Sequence, residues 1–150
     1  MTIETERTDH RSIFSFCRML FRYRYAKKFL RKGSVLDLGC GYGYTATLFE
    51  GYQYVGVDYY DEAVSFASQH CPGAEFRVMS VPPLGFEEWT FDNVICAEMI
   101  EHLPQEQAFP LLSECYRVLK PGGIFFCRHQ TWIIDWRRAL ITMWNIPRAR

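Results

Sequence analysis

The stretch Val35-Leu36-Asp37-Leu38-Gly39-Cys40-Gly41-Tyr42-Gly43 decides how this chain folds. An apolar run broken only by Asp37 reads as a buried strand. The alternating glycines after it admit positive φ and let a ligand lie against main-chain amides, so the strand runs into a tight turn ahead of a helix. The next strand, Tyr54-Val55-Gly56-Val57, closes on Asp58, where a carboxylate can accept both hydroxyls of a ribose. Two ligand classes use such a turn. A dinucleotide site wants G-x-G-x-x-G, whereas Gly43 comes one residue early and Asp37 suits a pyrophosphate poorly. The same carboxylate suits an ammonium group, so the ligand implied carries adenosine at one end and a cation at the other. A nicotinamide-dependent oxidoreductase is disfavoured on this spacing.

Outward from the turn, short β-rich apolar runs alternate with helical stretches. Ser34–Leu38, Tyr52–Val57, Glu75–Met79, Asn93–Ala97 and Ile124–Cys127 read as buried strands. Tyr44–Glu50, Asp61–His70 and Gln105–Leu119 read as helices, with Asp61 as an N-cap and Pro121-Gly122-Gly123 as a stop before the last strand. Pro110 leaves the start of the third helix open, because proline is tolerated only in a first turn. A further helix is expected over residues 12–31, where an apolar stripe runs among basic residues up to Gly33. The alternation implies an α/β fold with a doubly wound, mainly parallel sheet, and a ligand bound beyond the carboxyl ends of its strands. Residues 1–32 are read as an N-terminal helical extension, 33–130 as the core and 131–150 as an apolar and basic segment of helical character.

At 150 residues with 49% hydrophobic and 23% charged side chains, the chain has room for one domain and composition enough for a core, which excludes wholesale disorder. Its net charge is zero, but unevenly spread. Residues 1–32 hold nine basic and three acidic side chains, 33–127 three and thirteen, and 128–150 five and one. An acidic middle suits a cationic small ligand, while the basic ends are solvated helix faces or a steering surface for an anionic substrate or membrane. Nothing here singles out a nucleic acid. The six cysteines show no C-x-x-C pair and no zinc spacing, so they read as reduced, buried small hydrophobes. The acidic N-terminus lacks the marks of a signal peptide and no uncharged run reaches the length of a span, which makes the cytoplasm the expected compartment.

Four blocks in order, VLDLGCGYGYTATLF (35–49), YVGVDYYDEAVSFA (54–67), FDNVICAEMIEHLP (91–104) and ECYRVLKPGGIFF (114–126), resemble the class I S-adenosylmethionine-dependent methyltransferases. The resemblance covers about residues 25–128 and implies a Rossmann-like methyltransferase fold with S-adenosylmethionine as cofactor. It implies that Gly39, Cys40, Gly41 and Gly43 pack against the methionine part, with Asp37 near its amino group. It places Asp58 on the ribose, Tyr59 along the adenine face, and Ser80 and Val81 beside the adenine edge. Ser80 departs from the aspartate common in relatives, and a neutral acceptor in place of a charged one weakens binding by about 1 kcal/mol, several-fold in affinity. The end of the fourth strand, Ala97 and Glu98, is expected to touch the cofactor too.

Methyl transfer from a sulfonium is a direct displacement, so positioning and exclusion of water come first and no dedicated catalytic residue is obligatory. A hydroxyl acceptor gains from a base, for which Glu101 and His102 are the candidates. If residues 98–102 form a helical turn, Glu98, Glu101 and His102 share one face, a spacing that also suits a divalent metal; the cluster equally suits a structural role, and no metal is assigned. His129 follows the fifth strand and reads as a rim residue, and Phe14, Phe21, Tyr23 and Tyr25 are expected to pack over the site or the sheet. The acceptor is a small molecule, a lipid or a glycan; the alternative is a methyltransferase-like binding or regulatory module that is catalytically incomplete.

The resemblance implies a further helix and an antiparallel hairpin after the fifth strand. That last hairpin is expected to be lacking here, and residues 132–146 carry Trp132, Ile133, Trp136, Leu140, Ile141, Met143 and Trp144 at helical spacing. The apolar edge of the fifth strand needs a cover, so this segment is expected to form a helix over it or to mediate a homodimer.

Overall fold

The structure, a computed structural model, describes the backbone of residues 4–97, 99–129 and 132–135 and the side chains of residues 13–97, 99–100 and 102–127. In chain order it contains α1 (Glu4–Lys27), β1 (Ser34–Leu38), a 3₁₀ turn at Ala46–Phe49, β2 (Gln53–Asp58), α2 (Asp61–His70), β3 (Glu75–Val78) and β4 (Phe91–Cys96). A second 3₁₀ turn at Ile100–His102, α3 (Gln105–Val118), β5 (Leu119–His129) and β6 (Trp132–Asp135) follow. The strands form one sheet in the order β3-β2-β1-β4-β5-β6. The first five run parallel and β6 pairs antiparallel with β5. The order reverses between β1 and β4, and the carboxyl ends of those two strands frame the crevice where such sheets bind ligands.

Strand parity sorts the core into two layers. Asp37 stands opposite Gly56 and Ile95, and Val35 opposite Tyr54 and Asn93. Odd positions of β1 therefore share a face with Tyr54, Ile95 and Phe126, onto which α1 lays Tyr23 and Ala26. The other face carries Leu36, Leu38, Val94, Cys96, Phe125 and Cys127, covered by Leu111, Cys115 and Val118 of α3. Each large apolar side chain buried this way contributes about 1.5–3 kcal/mol. The outer strand β3 is short and mostly exposed, with an ion pair between Arg77 and Glu75 at 2.5 Å on its surface.

Buried Asn93 ties the segment between α1 and β1 to the sheet. It accepts from the Arg31 amide at 2.9 Å and donates to the carbonyls of Arg31 and Ser34 at 2.8 and 3.0 Å. Beyond the sheet, Arg117 and Glu114 of α3 hold the loop between β3 and β4. Glu114 accepts from the Leu84 amide at 2.7 Å, and Arg117 donates to the carbonyls of Leu84 and Phe86 at 2.9 and 2.8 Å. The Arg117 guanidinium holds the Glu114 carboxyl down at about 2.

Several expectations need correction. The first helix ends at Lys27 rather than near residue 31. The stretch 44–50 makes a four-residue 3₁₀ turn instead of an α-helix, because three residues separate it from β2 and the chain must turn back at once. Asp61 is the first residue of α2 and not its cap, and Pro110 lies inside α3, which starts after Pro104. Pro121-Gly122-Gly123 is absorbed into β5, which pairs Leu119 with Phe91 before a register shift. Of the four aromatic residues expected to pack, only Tyr23 is buried, while Phe14, Phe21 and Tyr25 are exposed. All six cysteines are free, but Cys17 is exposed and Cys71 half-buried. Residues 132–135 are strand, not helix: the open edge of β5 is closed by main-chain pairing, with Phe126 opposite Asp135. The rest of the segment expected to form a helix or mediate a homodimer, residues 136–146 of 132–146, lies outside the described residues.

Candidate functional site

At the carboxyl end of β1 the chain turns through Gly39, Gly41 and Gly43, with φ of 77°, 52° and 72°. The amides of Gly39 and Cys40 both donate to the Val57 carbonyl, at 2.8 and 3.1 Å, which fastens the turn to the end of β2. A Cβ on Gly43 would stand 2.7 Å from that of Ala67, so this glycine answers to packing against α2. Gly41 differs: a Cβ there would meet nothing within 4 Å. The open space above the turn therefore lies over Gly41.

Asp58 stands beside that space, half-buried at the end of β2. One oxygen accepts from the Gly41 amide at 2.9 Å and the other from the Tyr60 amide at 3.0 Å. Each carboxylate oxygen has a second lone pair, so the group is fixed in place and retains acceptor capacity toward a diol. Tyr59 follows it and is 78% exposed, free to lie along a flat ligand.

Asp37 takes a different position from the one its role at an ammonium group suggests. It has no exposed surface. The Tyr23 hydroxyl of α1 donates to one oxygen at 2.9 Å and the Tyr54 hydroxyl of β2 to the other at 2.5 Å. Burial raises the carboxyl to about 7, opposed by the tyrosine hydrogen bonds and by Thr45, and assisted by the charge of Asp58. Local spacing points to neither tyrosine as a partner of Asp37; the fold does, because Tyr54 shares the α1 face of the sheet with Asp37 and α1 lays Tyr23 on that face. Burial likewise pushes the Cys40 thiol up, which suits packing rather than nucleophilic work.

The remaining candidates sit around the crevice. Ala97 is buried at the end of β4, and Met99 packs on the turn, 3.1 Å from where a Gly39 Cβ would lie. His102 is exposed in the second 3₁₀ turn, its amide bonded to the Met99 carbonyl at 2.9 Å. Ser80 is exposed and Val81 half-buried in the loop held by Arg117. Glu98 and the side chains of Glu101 and His129 lie outside the described residues; among the described residues no three His, Cys, Asp or Glu gather as metal ligands. A cavity of about 440 Å³ lies at the other end of the sheet, between Phe49, Tyr52 and Cys71 before β2 and β3, away from the turn.

These residues fit a sulfonium nucleoside: open space over Gly41, a fixed carboxylate beside it for a ribose, an exposed aromatic ring for a base, and the buried carboxyl of Asp37 beneath the turn. A family model described as a methyltransferase domain matches residues 36–127. A probable S-adenosylmethionine-dependent methyltransferase from Mycolicibacterium smegmatis is 36% identical over 93 residues, covering 61% of this chain and 35% of that protein. A ubiquinone biosynthesis O-methyltransferase from Xanthomonas oryzae pv. oryzae is 37% identical over 111 residues, covering 69% and 46%. The crystal structure of the PH0226 protein from Pyrococcus horikoshii OT3 superposes with a TM-score of 0.64 at 32% identity, over 89% of this chain and 58% of that one. This chain thus spans less than half the length of the curated relatives it matches.

Proposed function

The chain belongs to the class I S-adenosylmethionine-dependent methyltransferases, and on that premise we propose that it binds S-adenosylmethionine across the Gly39–Gly43 turn and transfers its methyl group to a small-molecule, lipid or glycan acceptor. The observation that carries the reading is Asp58, held between the amides of Gly41 and Tyr60 beside the open face of Gly41. The cofactor, when bound, supplies an electrophilic methyl on a sulfonium. The chain's own part is to hold the nucleoside through Asp58 and Tyr59, to place the cationic end near Asp37, and to line the approach with Ala97, Met99 and His102.

Within that acceptor class we favour a hydroxyl on a small molecule, which the similarity to a ubiquinone biosynthesis O-methyltransferase supports. His102, at the carboxyl end of β4, is then the candidate to take the hydroxyl proton, with Glu101 beside it in sequence. Ser80 favours the alternative of a binding module without turnover, since a neutral hydroxyl stands where a carboxylate strengthens adenine binding. We place the protein in the cytoplasm on its six unpaired cysteines; no helix among the described residues is long and apolar enough to cross a membrane.

Titration calorimetry with S-adenosylmethionine, S-adenosylhomocysteine and NAD tests the cofactor assignment. Binding of the first two and not the third is expected; silence toward both sulfur nucleosides overturns it. Methyl transfer across a panel of catechols, lipids and sugars separates the enzyme from the module, which would bind without turnover.

A further inference from the structure

We propose that Tyr23 and Tyr54 are positioning residues of the cofactor site: their hydroxyls hold Asp37 as a carboxylate beneath the glycine turn, which makes α1 a working part of that site. The inference rests on the cofactor reading above and adds two residues to it, one of them outside the family match at 36–127.

Three observations converge. Asp37 is fully buried, yet each of its oxygens accepts from a phenol, Tyr23 at 2.9 Å and Tyr54 at 2.5 Å. Both tyrosines are themselves buried, at 2% and 3% exposure, so neither hydroxyl has water as an alternative partner. And the two donors come from different elements, α1 and β2, so the carboxylate is the point at which the N-terminal helix is fastened to the strand leading into the turn. The rings are held in turn: Tyr23 meets Phe49 edge-on at 6.2 Å, and Phe49 stacks on Tyr54 at 5.5 Å. A buried carboxyl with no donors would stay neutral at ordinary pH. Two hydroxyls aimed at its oxygens favour the charged form, and a charge placed two residues before Gly39 is what the cationic end of the cofactor requires.

The groups facing Asp37 come from the elements packed around it: Tyr23 from α1, Tyr54 and Asp58 from β2, and Cys40 and Thr45 from the turn. Asp58 and burial oppose the charge, the tyrosines and Thr45 favour it. Affinity for the cofactor then rises as pH increases through the Asp37 range and falls at higher pH, where the ligand's own amino group loses its proton. The ligand's limb is common to all variants; the acid limb belongs to the protein.

The test is calorimetric titration of S-adenosylhomocysteine into the full chain between pH 5.5 and 9, for wild type, Tyr23→Phe, Tyr54→Phe and the control Phe21→Ser, which alters an exposed ring of α1. Removing one phenol is expected to move the acid limb upward by about one pH unit, making binding up to about tenfold weaker near pH 6.5 and unchanged on the plateau. Phe21→Ser should leave the profile where it was. If both phenylalanine variants keep the wild-type limb, or weaken binding equally at every pH, the tyrosines only pack and the proposal fails. If wild type itself binds no S-adenosylhomocysteine at any pH, the cofactor reading fails first, a result that the variants cannot mimic.

Discussion

Replacing Asp37 with asparagine should make the protein more stable at neutral pH while it damages the site. The sign follows from burial. The carboxyl lies at about 7 in the folded chain against an ordinary 3.8. Below about 4 it is protonated in both states and costs nothing. As pH rises toward 7 the unfolded chain gives up the proton and the folded chain keeps it, so stability falls; above 7 the loss is complete and constant. At about 1.4 kcal/mol for each tenfold change in the proton equilibrium, the full loss is about 4 kcal/mol. Asparagine has nearly the same shape, still accepts from one tyrosine hydroxyl and can donate to the oxygen of the other, and never ionises. Urea unfolding of wild type and Asp37→Asn, without ligand, at pH 4.5 and pH 8 measures the difference. The variant should gain on wild type by several kcal/mol between the two pH values, with unchanged m. A gap between the two proteins that is the same at both pH values would refute the reasoning, because it would mean that Asp37 ionises as easily inside the fold as outside it.

Asp58→Ala should weaken S-adenosylhomocysteine binding by about 2–3 kcal/mol, thirty- to a hundred-fold by calorimetry, through loss of a charged acceptor. Gly41→Ala and Gly43→Ala should separate ligand space from packing. The first, with open space around its Cβ, should cost about 1–2 kcal/mol of stability from positive φ alone and a larger share of affinity. The second meets Ala67 at 2.7 Å, so thermal melting should show the greater loss. Glu114→Gln should remove stability that is present above the ordinary carboxyl range and fades in wild type as pH falls toward about 2, a dependence opposite in sign to that of Asp37 and readable by acid titration. His102→Ala should lower kcat by about a hundredfold or more with cofactor affinity unchanged; equal turnover would remove the base from the scheme.

The strands nearest the turn could be read from sequence because β1, β2 and β4 are buried on both faces and show as nearly unbroken apolar runs. The helices α2 and α3 could be read because their apolar residues recur at three and four. The stretch 44–50 misled for a reason of length: its composition is helical, but too few residues remain before β2 to complete a helix. Residues 132–135 misled because Trp132, Ile133 and Ile134 suit either conformation, and the choice was made by the unpaired edge of β5 rather than by the segment itself. Within the site, the glycines and Asp58 follow from local spacing. The partners of Asp37 do not, since Tyr54 lies seventeen residues away and meets it only through the register of β1 on β2, and Tyr23, fourteen residues away, only through the packing of α1 on that face.

The two margins of the sheet are finished by different means. On the other side β5 takes an antiparallel neighbour from its own chain, so that β6 forms the margin. On the β3 side the last row of amides and carbonyls is only four residues long, and Glu75 and Arg77 stand on it as a fixed pair of opposite charges. A stray extended segment arriving there would have to strip water from both charges for a handful of main-chain bonds, a poor exchange. Growth of the sheet by accretion of further molecules is therefore disfavoured at that rim.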